Sequence, residues 1–353
     1  MSPSTSGPIT LRRACQACSR GKRRCDQRLP RCSRCQKLRL DCEYVNLPLS
    51  TDLGQGSRPP GTAVRRAVPL APSRRQGPPS TFIALRPPLQ LEIIKGYEAS
   101  IIAFLVEGVS SLPLSFAENM KTHFIHPELW SYSSSSVPPT PIRDMHALCK
   151  LYTDTSSNVS FRLVASIRQQ IPHYQKRIAR AINFEDLLAS AQALLLAHCM
   201  LIAYEDPSTP YSDSTSAALL ALGERLYQQA PIQLPHTLTP RRAWLFAESV
   251  RRTIIVAFML RSVYSLKTRN YSVRTPFVDS LPFDMRTGLW DSGGGYNYGV
   301  ANGEGEGDAI VSLHRYSGML ESGMVHGIGP FAGLVLAACR GKDFRRVLYP
   351  APA

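Results

Sequence analysis

From Leu89 onward, apolar side chains return at helical spacing. Leu91–Val106 carries such a stripe. Asn183 stands where an N-cap is expected, ahead of a helix from Phe184 to Tyr204. Leu187, Leu188, Ala191, Leu194, Leu195, His198 and Ile202 would share one face of it. Ser214–Gln229 predicts another helix. Thr239-Pro240 supplies a cap followed by proline in the first turn, opening a helix over Arg241–Tyr264. Its buried side would include Trp244, Ile254, Ile255, Phe258 and Met259. No segment alternates strongly enough to predict a strand. The expectation for residues 89–353 is one mostly α-helical domain.

Upstream the pattern stops. Residues 46–88 are rich in Pro and Gly, including Pro59-Pro60-Gly61 and Gly77-Pro78-Pro79, and predict a disordered linker. No a/d repeat runs between Glu43 and Pro88, and the prolines would break one, so a coiled coil is not expected there. A homodimer, if formed, would use the helical domain. Residues 1–10 form a Ser/Pro/Thr tail that predicts disorder, and no apolar run follows a charged start there, so no secretory signal is expected. Ser131–Ser136 and the glycine-rich stretch Gly293 to Gly307 predict loops.

Within residues 11–45, cysteine replaces hydrophobic periodicity. Cys15-x2-Cys18-x6-Cys25 is followed 17 residues on by Cys32-x2-Cys35-x6-Cys42, so the second triplet copies the first. Six of the nine cysteines fall here. Zinc favours four ligands in a tetrahedron, and thiolate is among its best. One zinc would leave two cysteines over. Two zincs need eight ligand positions, which six thiolates supply only if two sulfurs bridge. The two-fold repeat suits that binuclear arrangement, with one triplet per metal. Two divalent ions and six thiolates leave a negative charge that nearby cations stabilise. A disulfide framework would need an oxidising compartment, a metal store would not need so basic a setting, and RING or LIM sites usually include histidine. The first histidine here is His123.

Net charge is +15, and its distribution is uneven. Residues 11–45 hold eleven Lys/Arg against three Asp/Glu, and residues 46–88 hold six against one. The rest carries 24 against 22. A basic N-terminal end on a near-neutral body is the footprint of nucleic-acid binding.

At these residues the chain resembles the fungal-type zinc binuclear cluster transcription factors, whose pattern is two C-x2-C-x6-C triplets around a loop that usually carries proline, here Pro30. The resemblance implies two short helices around two zinc ions, held by Cys15, Cys18, Cys25, Cys32, Cys35 and Cys42, with Cys15 and Cys32 bridging. It implies that the module reads a CGG-type triplet of double-stranded DNA in the major groove. Lys22 stands at the family's base-contacting position, three residues before the third cysteine. Arg24 matches the basic residue just before that cysteine, while Gly21 and Ser19 replace cations often found nearby. Arg20, Arg23, Arg34, Lys37 and Arg39 are assigned to phosphates. The family further implies a nuclear protein that contacts the transcription machinery. The small layout resembles regulators of secondary-metabolite gene clusters. Trp244 to Thr253 and Ala337 to Lys342 are similar to the family's regulatory region. The arginine doublets Arg65-Arg66 and Arg74-Arg75 would steady the protein on DNA, serve nuclear import or remain solvated.

Other constellations point elsewhere. His123-x2-His126 lacks a nearby acid or thiol and is expected to be a loop pair, and His146-x2-Cys149 to pack on a helix. Glu248 with Arg251 and Arg252 suits ion pairs along a helix. The glycine-rich stretch lacks a Lys-Ser/Thr ending, and no Gly-x-Ser-x-Gly elbow is present, so no enzyme is expected. Leu187–Tyr204, the longest uncharged apolar stretch, is interrupted by Ser190, Gln192 and His198 and predicts a buried helix rather than a membrane span. The rival function is a zinc-cluster module that binds protein or RNA without reading DNA sequence.

Overall fold

The computed structural model describes residues 14–46, 92–130, 137–153, 160–204, 213–234, 238–275, 277–291, 310–322, 324 and 328–342. The predicted tail 1–10, most of the linker 46–88 with its arginine doublets, the Ser131–Ser136 loop and the glycine-rich stretch lie outside the described residues.

Two short helices open the described chain, α1 (Gln16–Arg20) and α2 (Ser33–Lys37). The body begins with α3 (Ala99–Ser110), α4 (Leu112–Asn119), α5 (Pro127–Trp130), α6 (Thr140–Thr153) and α7 (Ser160–Arg180). It continues with α8 (Phe184–Ile202), α9 (Asp213–Gln229), α10 (Pro240–Arg269), α11 (Phe277–Ser280), α12 (Leu313–Glu321) and α13 (Pro330–Arg340). The strands are β1 (Glu43–Asn46), β2 (Glu92–Lys95), β3 (Ser272–Arg274), β4 (Pro282–Asp284) and β5 (Ile310–Ser312). The mostly helical body is as expected.

Two helices form its centre. In α8 every residue from Leu187 to Ile202 is buried, and in α10 every residue from Arg252 to Leu266. A helix surrounded on all sides needs no amphipathic stripe, so one face of α8 was too narrow an expectation. α8 is long and apolar enough to cross a membrane, yet 89% of it lies inside the body. The caps act as the sequence predicts. Asn183 accepts from the Asp186 amide at 2.7 Å, and the Thr239 hydroxyl accepts from the Arg242 amide. α10 runs past Tyr264 to Arg269, where Asn270 ends it in the left-handed conformation (φ 60°). Trp244 is only partly buried, with Nε1 donating to Asp284 at 2.9 Å.

Between the two central helices runs a polar seam. The Gln192 side-chain amide donates to the Phe124 carbonyl and to the hydroxyls of Ser249 and Thr253, at 2.9–3.2 Å. Glu248, 2% exposed, takes Arg252 at 2.7 Å. That guanidinium lies over Trp290 and Phe331, with its carbon 4.2 and 4.7 Å from the ring centroids. The predicted pairing of Glu248 with both arginines is present, but it is a core feature rather than a surface one. His146, on α6, packs on a helix as expected, here α4, with its Nε2 3.1 Å from the Ala117 carbonyl.

The strands correct the sequence. Leu91–Val106 is not one helix. Its first part is β2, and α3 starts only at Ala99. β2 is the middle of an antiparallel sheet ordered β1-β2-β3, with Tyr44 opposite Ile94 and Ile94 opposite Val273. Strands of three or four residues are too short to show alternation. This sheet joins the N-terminal module to the body, because β1 follows the last cysteine and β3 follows α10 directly.

Candidate zinc centre and nucleic-acid interface

The cysteine repeat is also a backbone repeat. Cys15 and Cys32 cap α1 and α2, each sulfur accepting from the amide three residues on at 3.4 Å. Ser19 N donates to the Cys15 carbonyl at 2.9 Å, and Gln36 N to that of Cys32 at 2.9 Å. Arg23 N donates to the Cys18 carbonyl at 2.9 Å, and Leu40 N to that of Cys35 at 3.0 Å. Just past each helix and its cap, Gly21 or Leu38, comes a residue in the left-handed region, Lys22 (φ 48°) and Arg39 (φ 51°). Both positions turn the chain back so that the third cysteine of each triplet reaches the cluster. Neither is glycine, so each turn carries some backbone strain.

All nine cysteines are free, and five of the six module cysteines are buried. Sγ of Cys15 lies 3.8 Å from that of Cys32 and 3.6 Å from that of Cys35. Cys18 Sγ lies 3.6 Å from Cys32 Sγ. With a zinc–sulfur bond of about 2.3 Å, the edge of a ZnS4 tetrahedron is about 3.8 Å. These separations match such edges and are far too long for disulfides. The sulfurs of Cys15, Cys18, Cys32 and Cys35 all lie within 4.8 Å of one another, and Cys25 meets Cys32 within the same limit. Cys42 Sγ accepts from the Cys32 amide at 3.4 Å. The donor set therefore fits zinc.

The electrostatics agree. Burial pushes the Cys15 thiol up to about 11 and the Cys18 thiol up to about 12. Cys32 is brought down to about 7, because the Cys35 amide and its sulfur neighbours outweigh burial. Buried thiols this close hold negative charge only around a cation, and metal binding supplies it while releasing their protons. Arg34 Nη1 reaches Cys18 Sγ at 3.9 Å and adds positive charge beside the cluster.

The cations divide by exposure. Arg20, Lys22, Arg23 and Arg24 are exposed at and just past the end of α1, and Lys37 and Arg39 at and just past the end of α2. Arg34 is half-buried. The Arg20 guanidinium rests on Gln16 Oε1 at 3.1 Å, and Gln16 Nε2 on Glu43 at 3.2 Å.

Sequence reasoning missed the contacts that seat the module on the body. Lys95 Nζ donates to Asp41 at 2.7 Å and to the Arg340 carbonyl at 3.4 Å. Arg31 pairs with Glu98 at 3.1 Å. Tyr44 is buried with the cysteines, Ile94, Tyr271 and Val273, and its hydroxyl donates to the Arg28 carbonyl at 3.0 Å. A Cβ added to Gly96 would meet Pro30 Cβ at 2.8 Å. The only sequence signal was the apolar content of β1 and β2.

The histidine pair takes no part in the metal cluster. Burial pushes His126 down to about 4, and its Nδ1 accepts from the Glu128 amide at 3.3 Å. Burial holds His123 at about 4 beside Phe331.

Residues 13–50 match the fungal Zn(2)-Cys(6) binuclear cluster domain. Fold, sulfur geometry and this match define the class: the N-terminal module is a zinc binuclear cluster domain, a DNA-binding unit that takes two zinc ions. Over 355 aligned positions the chain is 24% identical to "Transcription factor gsfR2" of Penicillium aethiopicum, covering 81% of this chain and 82% of that protein. No solved structure matches.

Proposed function

We propose that this protein is a nuclear, zinc-dependent, sequence-specific transcription factor for RNA polymerase II genes. The carrying observation is the six-cysteine cluster with sulfur separations of 3.6–3.8 Å and a row of exposed cations beside it. In this reading Cys15 and Cys32 bridge the two zincs. Cys18 and Cys25 complete one tetrahedron, and Cys35 and Cys42 the other. The metal supplies a core that residues 11–45 are too few to build from apolar side chains.

Lys22 reads guanine O6 and N7 in a CGG-type triplet. Arg20, Arg23, Arg24, Lys37 and Arg39 hold phosphates, while Arg34 serves both the Cys18 sulfur and the backbone of the DNA. The body, residues 89–353, contacts the transcription machinery and forms any homodimer. The likeness of layout proposes genes of a secondary-metabolite cluster as targets.

The test is selection from random oligonucleotides with the full-length, zinc-loaded protein at physiological salt. Enrichment of a CGG-like triplet is expected, one copy for a monomer and two at fixed spacing for a dimer. No enrichment with two zincs bound overturns sequence reading and leaves a protein- or RNA-binding module.

A further inference from the structure

Several cations of the body have acidic partners. Arg241 meets Glu128, Arg251 and Arg252 meet Glu248, Arg274 meets Asp279, Arg286 meets Asp284 and Lys342 meets Glu321. α7 concentrates cations without an acid of its own. Between Ser160 and Arg180 it has no Asp or Glu, but it carries Arg162, Arg168, His173, Lys176, Arg177 and Arg180. The last four recur at i, i+3, i+4 and i+7, so they share one face, and the charges of Lys176, Arg177 and Arg180 repel one another. Among the described residues no ion pair reaches Lys176, Arg177 or Arg180.

These four side chains line a cleft of about 350 Å³, with Ala181 and Ile182 on its rim and Asp186 and Ser190 from α8. The Arg177 Nε is shielded from solvent and has no hydrogen-bond partner among the described residues. The one acid, Asp186, already accepts from the Asn183 amide group at 2.8 Å. Ile182 is 99% exposed beside the charges. The cleft thus offers concentrated positive charge next to an uncovered apolar residue.

Its place in the fold separates it from the zinc module. The Lys267 ammonium bonds the Ile202 and Ala203 carbonyls, so the C-terminal end of α8 lies beside that of α10, which leads into β3 and the module. Phe184 and Phe246 are 6.1 Å apart, so the N-terminal ends also lie together. The cleft sits at that end, about one α8 length or roughly 28 Å from the module. A duplex gripped by α1 is therefore not its natural occupant.

We propose that the cleft between the C-terminal end of α7 and the start of α8 binds a small organic anion. The ligand class is a carboxylate or phosphate ester with an apolar part. Its charge sits against Lys176, Arg177 and Arg180, and its apolar part against Ala181 and Ile182. The volume suits a small molecule rather than a polymer.

The test is calorimetric titration of the full-length, zinc-loaded protein with two probes, phenyl phosphate and octanoate, at low and physiological salt. Saturable 1:1 binding of at least one probe is expected, and the better probe tells which anionic group the cleft prefers. The double variant Lys176→Gln/Arg177→Gln should weaken it at least tenfold, and Arg168→Gln should not. Zinc content and DNA affinity verify folding. Should the double variant lose structure, Ile182→Asp, a change at a fully exposed rim position, should weaken binding by repulsion instead. No saturable binding of either probe overturns the proposal. So does equal binding by wild type and the folded variants, or displacement of the probes by DNA together with lost DNA affinity in the double variant.

Discussion

The two halves of the cysteine module share a backbone but not a setting. Moved by 17 residues, the cap, the hydrogen bonds and the left-handed turn of the first half reproduce those of the second. Yet Gly21, Arg23 and Arg24 of the first half become Leu38, Leu40 and Asp41 in the second. Asp41 pairs with Lys95, and the chain continues into β1, which is zipped to the body. Four exposed cations crowd the end of the first helix, and none of the described residues of the body covers them. One copy of the duplicated motif has become the free face and the other the foot. Metal chemistry fixes what is common to the halves, and the residues between the ligands fix what differs.

The largest effect should come from attacking what the halves share. Cys18→Ala removes a sulfur from the four that lie within 4.8 Å of one another. It should release zinc, unfold residues 11–45 and reduce DNA affinity at least a hundredfold, while the central helices of the body persist. Zinc analysis and circular dichroism check this. Unchanged zinc content in the variant would sink the cluster assignment. Amide exchange sharpens the comparison. After zinc removal, protection should vanish first around Ser19 to Arg23, whereas β1 should hold longer because Tyr44 is buried against Ile94, Tyr271 and Val273.

The next test sets matched positions against each other. Lys22 and Arg39 occupy equivalent left-handed turns, so alanine at either costs similar backbone energy. Any difference in DNA binding then belongs to the side chains. Lys22→Ala should relax preference at one base by about 1–3 kcal/mol. Arg39→Ala should weaken all sequences alike and lower the salt slope by about one. If the two variants behave the same, Lys22 is another phosphate contact and the halves are not functionally distinct.

The metal module was legible because ligand chemistry demands fixed residues at fixed spacing, and a copied cysteine triplet suits few chemistries besides metal binding. The caps at Asn183 and Thr239 were legible for a similar reason, since a local hydrogen bond selects a few residue types. The docking of the module was not. β1, β2 and β3 come from residues 43–46, 92–95 and 272–274, and their pairing is a tertiary event that no local pattern records. Gly96 looks ordinary in sequence, and only the close approach of Pro30 gives it a purpose. The buried Glu248 pair was visible as spacing, but its depth depended on Trp290 and Phe331 arriving from distant segments.

Docking can be loosened without touching the metal. Gly96→Ala places a methyl 2.8 Å from Pro30 Cβ, inside contact distance. Relief requires the module and β2 to move apart, at a cost of about 1–3 kcal/mol. Zinc should stay bound, while exchange of the Glu43–Asn46 amides should rise at least tenfold. Unchanged exchange would mean the interface accommodates the methyl and is looser than its packing implies.

The smallest expected effect concerns the ion pair at the same seam. Lys95 is mostly buried, but Asp41 is 68% exposed, so solvent screens the pair. Lys95→Met keeps the apolar stem against the sheet and removes the charge together with the long hydrogen bond to the Arg340 carbonyl. The loss should stay below about 1 kcal/mol, and exchange of the β1 amides should rise less than in Gly96→Ala. Raising salt should reduce the difference between Lys95→Met and wild type, because it screens what the variant lacks. A Lys95→Met effect as large as that of Gly96→Ala would reverse the ranking. The second half would then be held to the body by charge, and its seating would weaken with ionic strength as DNA binding by the first half does.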